Sequence, residues 1–336
     1  MTNIRDTRNE PILTDTYERA SDFHPPAECI YVFARSDEDR STHINHWLST
    51  STATTIEIST QTPSIFSIVG NSGQYFLRSD SSINSLWSNG NDRSHIFIDI
   101  TGLTKPVWAA LLRSALATDR QVSVVYVEPD SYKLSAAPLE GQIYDLSTRI
   151  LGIAPLPGFA IFSEQRSEDC IFVPLLGFEG TRFSYLIEQV QPKYDQIIPV
   201  VGCPGFKPWY VFETYLGNKR ALTDTSAWQS IRYAQGNCPF SCYYLLDEIS
   251  QSNPRKLLKV APIGTKPHAL GAVLFALSSR HPTELVYDHA IHKMGRTDGS
   301  DRLLIYHVSA IASGTGTQRF SRTQAAREMR QSRKPL

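Results

Sequence analysis

No apolar run in this 336-residue chain reaches the roughly 18 residues needed to cross a bilayer. The opening stretch from Met1 to Ser21 is polar and mixed in charge, unlike a signal peptide. A cytoplasmic protein with no membrane contact is expected. Net charge is also missing, since 33 basic residues balance 33 acidic ones, and with it goes the bulk electrostatic footprint of a general nucleic-acid binder. Cysteine is scarce: Cys29, Cys170, Cys203, Cys238 and Cys242 are odd in number and scattered, the opposite of a small scaffold stapled by bridges. Reduced thiols are expected.

Metal and catalytic signatures are thin as well. Cys238 and Cys242 are spaced C-x3-C, but no second pair or neighbouring histidine completes a four-ligand zinc set. His43/His46 and His289/His292 are spaced H-x-x-H without the carboxylate of a metalloprotease helix, so they read as ordinary histidines and no metal or cofactor is assigned. No G-x-x-x-x-G-K-[ST] loop, G-x-S-x-G elbow or H-E-x-x-H helix occurs. Arg40 and His46 fit a loose R-x5-H ribonuclease spacing, but they fall across a turn and a helix, where coincidence is the better reading.

What the chain does have is material for a core, with 41% apolar residues, and length for about two domains at roughly 150 residues each. It also has an internal repeat. Thr104-Lys105-Pro106 recurs as Thr265-Lys266-Pro267, and in the same ungapped register Ala115-Leu116 meets Ala276-Leu277 and Val125-Tyr126 meets Val286-Tyr287. Cys29-Ile30-Tyr31-Val32 resembles Cys170-Ile171-Phe172-Val173, and Ile65 to Gly70 aligns with Ile197 to Gly202. Such self-similarity fixes architecture before any single element is assigned.

Each half alternates short apolar runs with amphipathic stretches. In the first, strands are expected at Cys29–Phe33, Thr54–Ile58, His95–Ile100 and Val122–Val127, with helices at Ser41–Leu48 and Pro106–Ala117. In the second, strands are expected at Cys170–Leu176, Gln196–Val201, Leu257–Pro262 and Glu284–Tyr287, with helices at Phe183–Val190 and Pro267–Leu277. Continuous Val/Ile/Tyr strands separated by helical segments indicate parallel strands covered on both faces. The expected fold is α/β, with two Rossmann-like three-layer halves of mainly parallel sheet related by internal duplication. The boundaries read as an N-terminal extension (1–28), half one (29–130), a packed connection (131–169), half two (170–311) with an insertion near 206–256, and a flexible basic tail (312–336).

The repeated turn is the chemical signal. A buried strand ends, a polar turn follows, and a helix begins with proline in a first-turn position. Such a turn lies at the carboxyl end of a parallel strand, where open α/β sheets bind ligands, and it presents free backbone N–H groups and a positive dipole end. Threonine and lysine there add a hydrogen-bond donor and a point charge suited to phosphate. Capping alone explains the threonine; recurrence of the lysine is not required by it.

Asp99-Ile100-Thr101-Gly102-Leu103-Thr104-Lys105 and Ile263-Gly264-Thr265-Lys266-Pro267 resemble the threonine-lysine turn of CARF domains, the Rossmann-like cyclic-oligonucleotide sensors of prokaryotic antiviral defence. Those domains work in pairs across a two-fold axis, and a tandem duplication would supply both halves in one chain. The resemblance implies Thr104, Lys105, Thr265 and Lys266 as ligand contacts, with Gly102 and Gly264 allowing close backbone approach. The turn departs from the family in holding less glycine, and the first-strand loops, Arg35–Arg40 and Gly177–Arg182, share only an acidic residue and an arginine.

Three function classes follow. The first is a nucleotide-type ligand-sensing or partner-binding protein, an accessory or regulatory component of a bacterial antiphage system, whose partners would be an anionic nucleotide-like ligand and a protein effector encoded nearby. The second is an enzyme acting on a nucleotide or phosphate ester at the same turns, with Asp99, Glu179, Asp288 and His289 as candidate acids or bases and no strong catalytic motif. The third is a scaffold subunit. The C-terminal tail, with Arg319, Arg322, Arg327, Arg330, Arg333 and Lys334 against Glu328, is a candidate for local nucleic-acid contact.

Overall fold

The computed structural model describes residues 13–88, 94–139, 142–161, 170–309 and 311. In chain order the first strands are β1 (Thr14–Tyr17), β2 (Ile30–Ala34), β3 (Thr54–Gln61), β4 (Ile65–Ile68), β5 (Gln74–Phe76), β6 (Ile96–Asp99) and β7 (Val122–Val127). There follow β8 (Ser131–Tyr132), β9 (Leu134–Leu139), β10 (Gln142–Tyr144), β11 (Ser147–Ile150) and β12 (Ala154–Pro155). The last are β13 (Cys170–Pro174), β14 (Val200–Gly202), β15 (Arg232–Ala234), β16 (Leu257–Ala261), β17 (Thr283–Tyr287), β18 (Ala290–His292), β19 (Thr297–Asp298) and β20 (Leu303–Tyr306). The helices are α1 (Asp80–Asn84), α2 (Lys105–Leu116), α3 (Gly180–Val190), α4 (Tyr210–Asp224), α5 (Pro239–Ser252) and α6 (Lys266–Ser278), with a 3-10 helix at Asp39–His46.

This is a mixed α/β protein with a mainly parallel central sheet. Eight strands run in the order β1-β20-β7-β6-β2-β3-β4-β5; the centre from β7 to β3 is parallel and its flanks are antiparallel. Every residue of β2, β6 and β7 is buried, as covering on both faces demands. The second sheet runs β12-β17-β16-β13 and is parallel except at β12. Single bridges, Phe172 to Ile197 and Leu175 to Val200, set the parallel pair β14 and β15 beside β13. The order β3-β2-β6-β7 is thus matched by β14-β13-β16-β17. Helix α2 packs against α6, and one apolar cluster takes in Val107 and Leu111, Leu270 and Val273, and strands of both sheets.

Both repeated motifs fall where a strand hands over to a helix: Thr104 precedes α2 after β6, and Thr265 precedes α6 after β16. Other expectations need correction. Ile65 to Gly70 does not correspond to Ile197 to Gly202, because Thr62 accepts hydrogen bonds from Ser64 and Ile65 and closes a hairpin that makes β4 antiparallel to β3, whereas β14 runs parallel. The boundaries also move. Strand β1 comes from the expected extension and β20 from the end of expected half two, yet both join the first sheet, where the fully buried Leu303–Tyr306 covers the edge of β7. The expected insertion supplies α4 and α5, which pack beside α3 and α6 on the second sheet. The basic tail at 312–336 and residues 1–12 lie outside the described residues. No helix among those described is long and apolar enough to cross a membrane.

Candidate functional site

The two turns meet. Pro106 and Pro267 start α2 and α6 at positions where a missing N–H costs nothing, so each preceding strand delivers its lysine to the helix end. Each lysine then crosses to the other half. Lys266 Nζ donates to the carbonyl oxygens of Ile100, Thr101 and Leu103 at 2.7, 2.7 and 2.9 Å. Lys105 Nζ reaches the Gly264 carbonyl at 3.4 Å and lies 5.4 Å from the centre of the Tyr287 ring. Among the described residues no carboxylate oxygen comes within 4.0 Å of either ammonium. Burial, then Arg182 and Arg296, push the Lys105 ammonium down to about 7; burial and Arg40 hold Lys266 well below the ordinary lysine range.

An arginine from the start of the helix after the first strand of each half completes the pattern. Arg40 lies 5.5 Å from the Tyr126 ring centre, and Arg182 lies 6.0 Å from that of Tyr287, the same tyrosine in the repeat register. Arg40 donates to Glu38 Oε2 at 2.6 Å and to Tyr126 Oη and the Val127 carbonyl at 3.0 Å. Arg182 grips Asp288 with two bonds, at 2.6 and 2.7 Å, and donates to the Ile263 carbonyl. Burial works against these charges, but Arg40 and Arg296 hold the Glu38 carboxyl well below its usual range, and Arg182 lowers that of Asp288.

Between these groups lies a cavity with about 90 Å³ of water-accessible space. Arg40, Arg182, Arg296, Lys105, Lys266 and His292 line it, with Glu179 as the lining carboxylate and Tyr132, Phe178 and Tyr210 as aromatic wall. His292 Nδ1 is buried with no partner, and burial, then Arg296 and Lys105, keep its ring neutral by pushing its pKa well down. The segments after β7 and β17 roof the cavity by pairing with each other, β8 with β19 and β11 with β18.

Of the sequence-predicted contacts, Lys105, Gly264, Thr265 and Lys266 line this cavity and Gly102 and Thr104 do not. Thr265 Oγ1 caps α6, accepting from His268 N at 3.2 Å and donating to the Gly236 carbonyl; Thr104 Oγ1 is buried without a partner. The candidate acids are dispersed. Asp99 is tied to Tyr31, His43 and the Thr101 N–H, Asp288 to Arg182, and His289 is not at the cavity. All five thiols are free, and Cys242 is buried within α5. Sequence reasoning passed over Arg40 and Arg182, although an acidic residue followed by arginine after each first strand was their visible signal. His292 showed only in the H-x-x-H spacing, read as ordinary histidines, and Arg296 had no signal.

The sequence matches no family model and no curated protein.

Proposed function

We propose that the chain is a nucleotide-type ligand-sensing protein whose anionic ligand binds between the two halves, at the cavity where their lysines exchange. The observation that carries this reading is Lys105: a residue only 4% exposed that lines the cavity, its ammonium making one long hydrogen bond and having Asp288 and Glu179 only at longer range, beyond 4.0 Å. Burying a charge so poorly paired is costly, and a phosphate oxygen would relieve the cost with a charge-assisted hydrogen bond. Tyr132, Phe178 and Tyr210 offer faces on which a base could stack. The candidate carboxylates favour binding over catalysis, because Asp99, Glu179 and Asp288 are each already engaged by donors. The same reading takes the two halves as an internal duplication, supported by the matched strand orders and by an arginine over the repeated tyrosine in each. A CARF-like identity and an accessory role in antiphage defence rest on the resemblance of the turns.

Calorimetry with pyrophosphate and a panel of cyclic and linear oligonucleotides tests the proposal. At least one member should bind, and Lys105→Ala should weaken it by about tenfold or more, the loss of a hydrogen bond to a charged group, without loss of fold. Failure of the wild type to bind any member would overturn the sensor reading.

A further inference from the structure

The cavity is shut. Its water-accessible space, about 90 Å³, accepts a phosphate group but falls well short of the roughly 300–1,000 Å³ of a site for a drug-sized ligand, although five cationic side chains surround it. The roof, which gives the lining Tyr132, Leu146, His292 and Arg296, is held at two corresponding points. Glu38 and Glu179 are the residues immediately before the first helix of each half, the 3-10 helix at Asp39 and α3 at Gly180. Neither side chain caps its own helix. Both reach the roof instead. Glu38 accepts from Arg296 Nε at 2.9 Å and from Thr297 Oγ1 at 2.8 Å, beside and within β19. Glu179 accepts from Leu146 N at 3.0 Å and Ser147 Oγ at 2.8 Å, at the start of β11.

The same carboxylates serve the cations of the wall. Glu38 pairs with Arg40 at 2.5 Å and Glu179 lies 3.7 Å from Arg182. Glu179, itself in the cavity lining, and Glu38 thus each divide a carboxylate between a wall arginine and the roof. Building on the anion-site reading, we infer that Glu38 and Glu179 are a pair of latches, and that an anion entering the cavity competes with them for Arg40, Arg182 and Arg296 and so frees the segments 131–139, 142–150 and 290–301 to open. Internal carboxylate and external phosphate compete for Arg40 and Arg296, both held by Glu38, and for Arg182, which Asp288 grips closely and Glu179 approaches to 3.7 Å. A ligand can shift such an equilibrium only by its differential affinity for the two states, and here that difference is the set of cations released when the latches let go.

Hydrogen exchange read by mass spectrometry on the full chain tests this, with pyrophosphate as the probe and calorimetry run in parallel. In the wild type, pyrophosphate should accelerate exchange of the amides in 131–139, 142–150 and 290–301. Without ligand, E38Q/E179Q should exchange there about tenfold faster or more than wild type, since each substitution weakens hydrogen bonds to a charged acceptor. As E38Q leaves Arg40 short of its partner and could unfold the loop, S147A/T297V provides the second route: it removes one roof donor from each latch, keeps every charge, and should bind pyrophosphate more tightly than wild type because less is spent on opening. Binding with slowed or unchanged roof exchange would overturn the latch and leave the anion site standing. Absence of pyrophosphate binding in wild type and both variants would overturn the displacement and the site together.

Discussion

Lys105 and Lys266 begin matching helices and end in different chemical circumstances. Lys266 spends its three donors on three carbonyls of the opposite turn, so its removal strands acceptors and loosens the junction as well as removing a charge. Lys105 has one long bond and a tyrosine face, so it contributes little to the fold and costs it a buried charge. The pH dependence follows from its depressed pKa. The unfolded lysine titrates near 10.5 and the folded one at about 7, so between these values the unfolded state holds the extra proton and stability rises with pH. Below about 7 the full cost of the buried charge is present; above about 10.5 it is gone. Lys105→Met should therefore stabilise the free protein below pH 7, by up to the ~1–4 kcal/mol seen when apolar groups replace buried charges, and the gain should fade as pH approaches 10.5. Thermal unfolding of both proteins across that range checks it, and a gain that is constant or grows with pH would contradict it. Stabilisation alongside lost ligand binding would mark Lys105 as kept for its site.

The two turns are built by pressing a glycine onto the end of the neighbouring first strand. A Cβ on Gly102 would sit 1.9 Å from the Ala34 carbonyl oxygen, and one on Gly264 would sit 2.5 Å from that of Leu176. Both are backbone contacts that no side-chain rotation relieves. Gly102→Ala should cost about 1–3 kcal/mol, the range for overpacking a tight interior, and Gly264→Ala somewhat less; urea unfolding measures both, and a neutral Gly102→Ala would mean that the turn can retreat from β2. These turns were legible because three consecutive residues recur and because proline and glycine punctuate strand and helix locally. So were β2, β6 and β7, which are dense in Val, Ile, Phe and Tyr, and α2, which is rich in Ala and Leu. The roof was not legible. β8 pairs with β19 through two residues on each side, from segments far apart in the chain, and no periodicity in so short a stretch specifies its partner. Arg296 enters the site only through that pairing, so it stayed hidden with it. The hairpin of β4 escapes a sequence reading for a related reason: Ile65 to Gly70 is as apolar as a parallel strand, and the turn is closed locally by the Thr62 hydroxyl and the Thr62 backbone N–H to the Ile65 carbonyl.

At the scale of the molecule, neither half is closed by its own stretch of chain. The first sheet is completed by β20, which arrives after the whole second half has been made and inserts between β1 and β7. Leu304, Tyr306 and Val308 then belong to the same apolar cluster as Leu258 and Val260 of β16 and the facing helices α2 and α6. Cores that merge in this way should unfold together, so the full chain should give a single calorimetric transition whose van't Hoff and calorimetric enthalpies agree. Two resolved transitions would mean that the α2–α6 contact is a docking surface between independent domains. The stronger test removes β20. Leu303, Leu304, Ile305 and Tyr306 are all buried, each aliphatic side chain is worth about 1.5–3 kcal/mol on burial, and together they rival the ~5–15 kcal/mol by which a domain is stable. A chain ending at Asp301 should therefore lose the cooperative transition of both halves, the second included, although every strand of the second sheet is still present. Survival of a folded second half in that truncation, seen as protected amides in β13, β16 and β17, would show that the shared core is not what holds it. In that case the lysine exchange between the turns would have to be made by two bodies free to separate, and the anion site would depend on whatever brings them together.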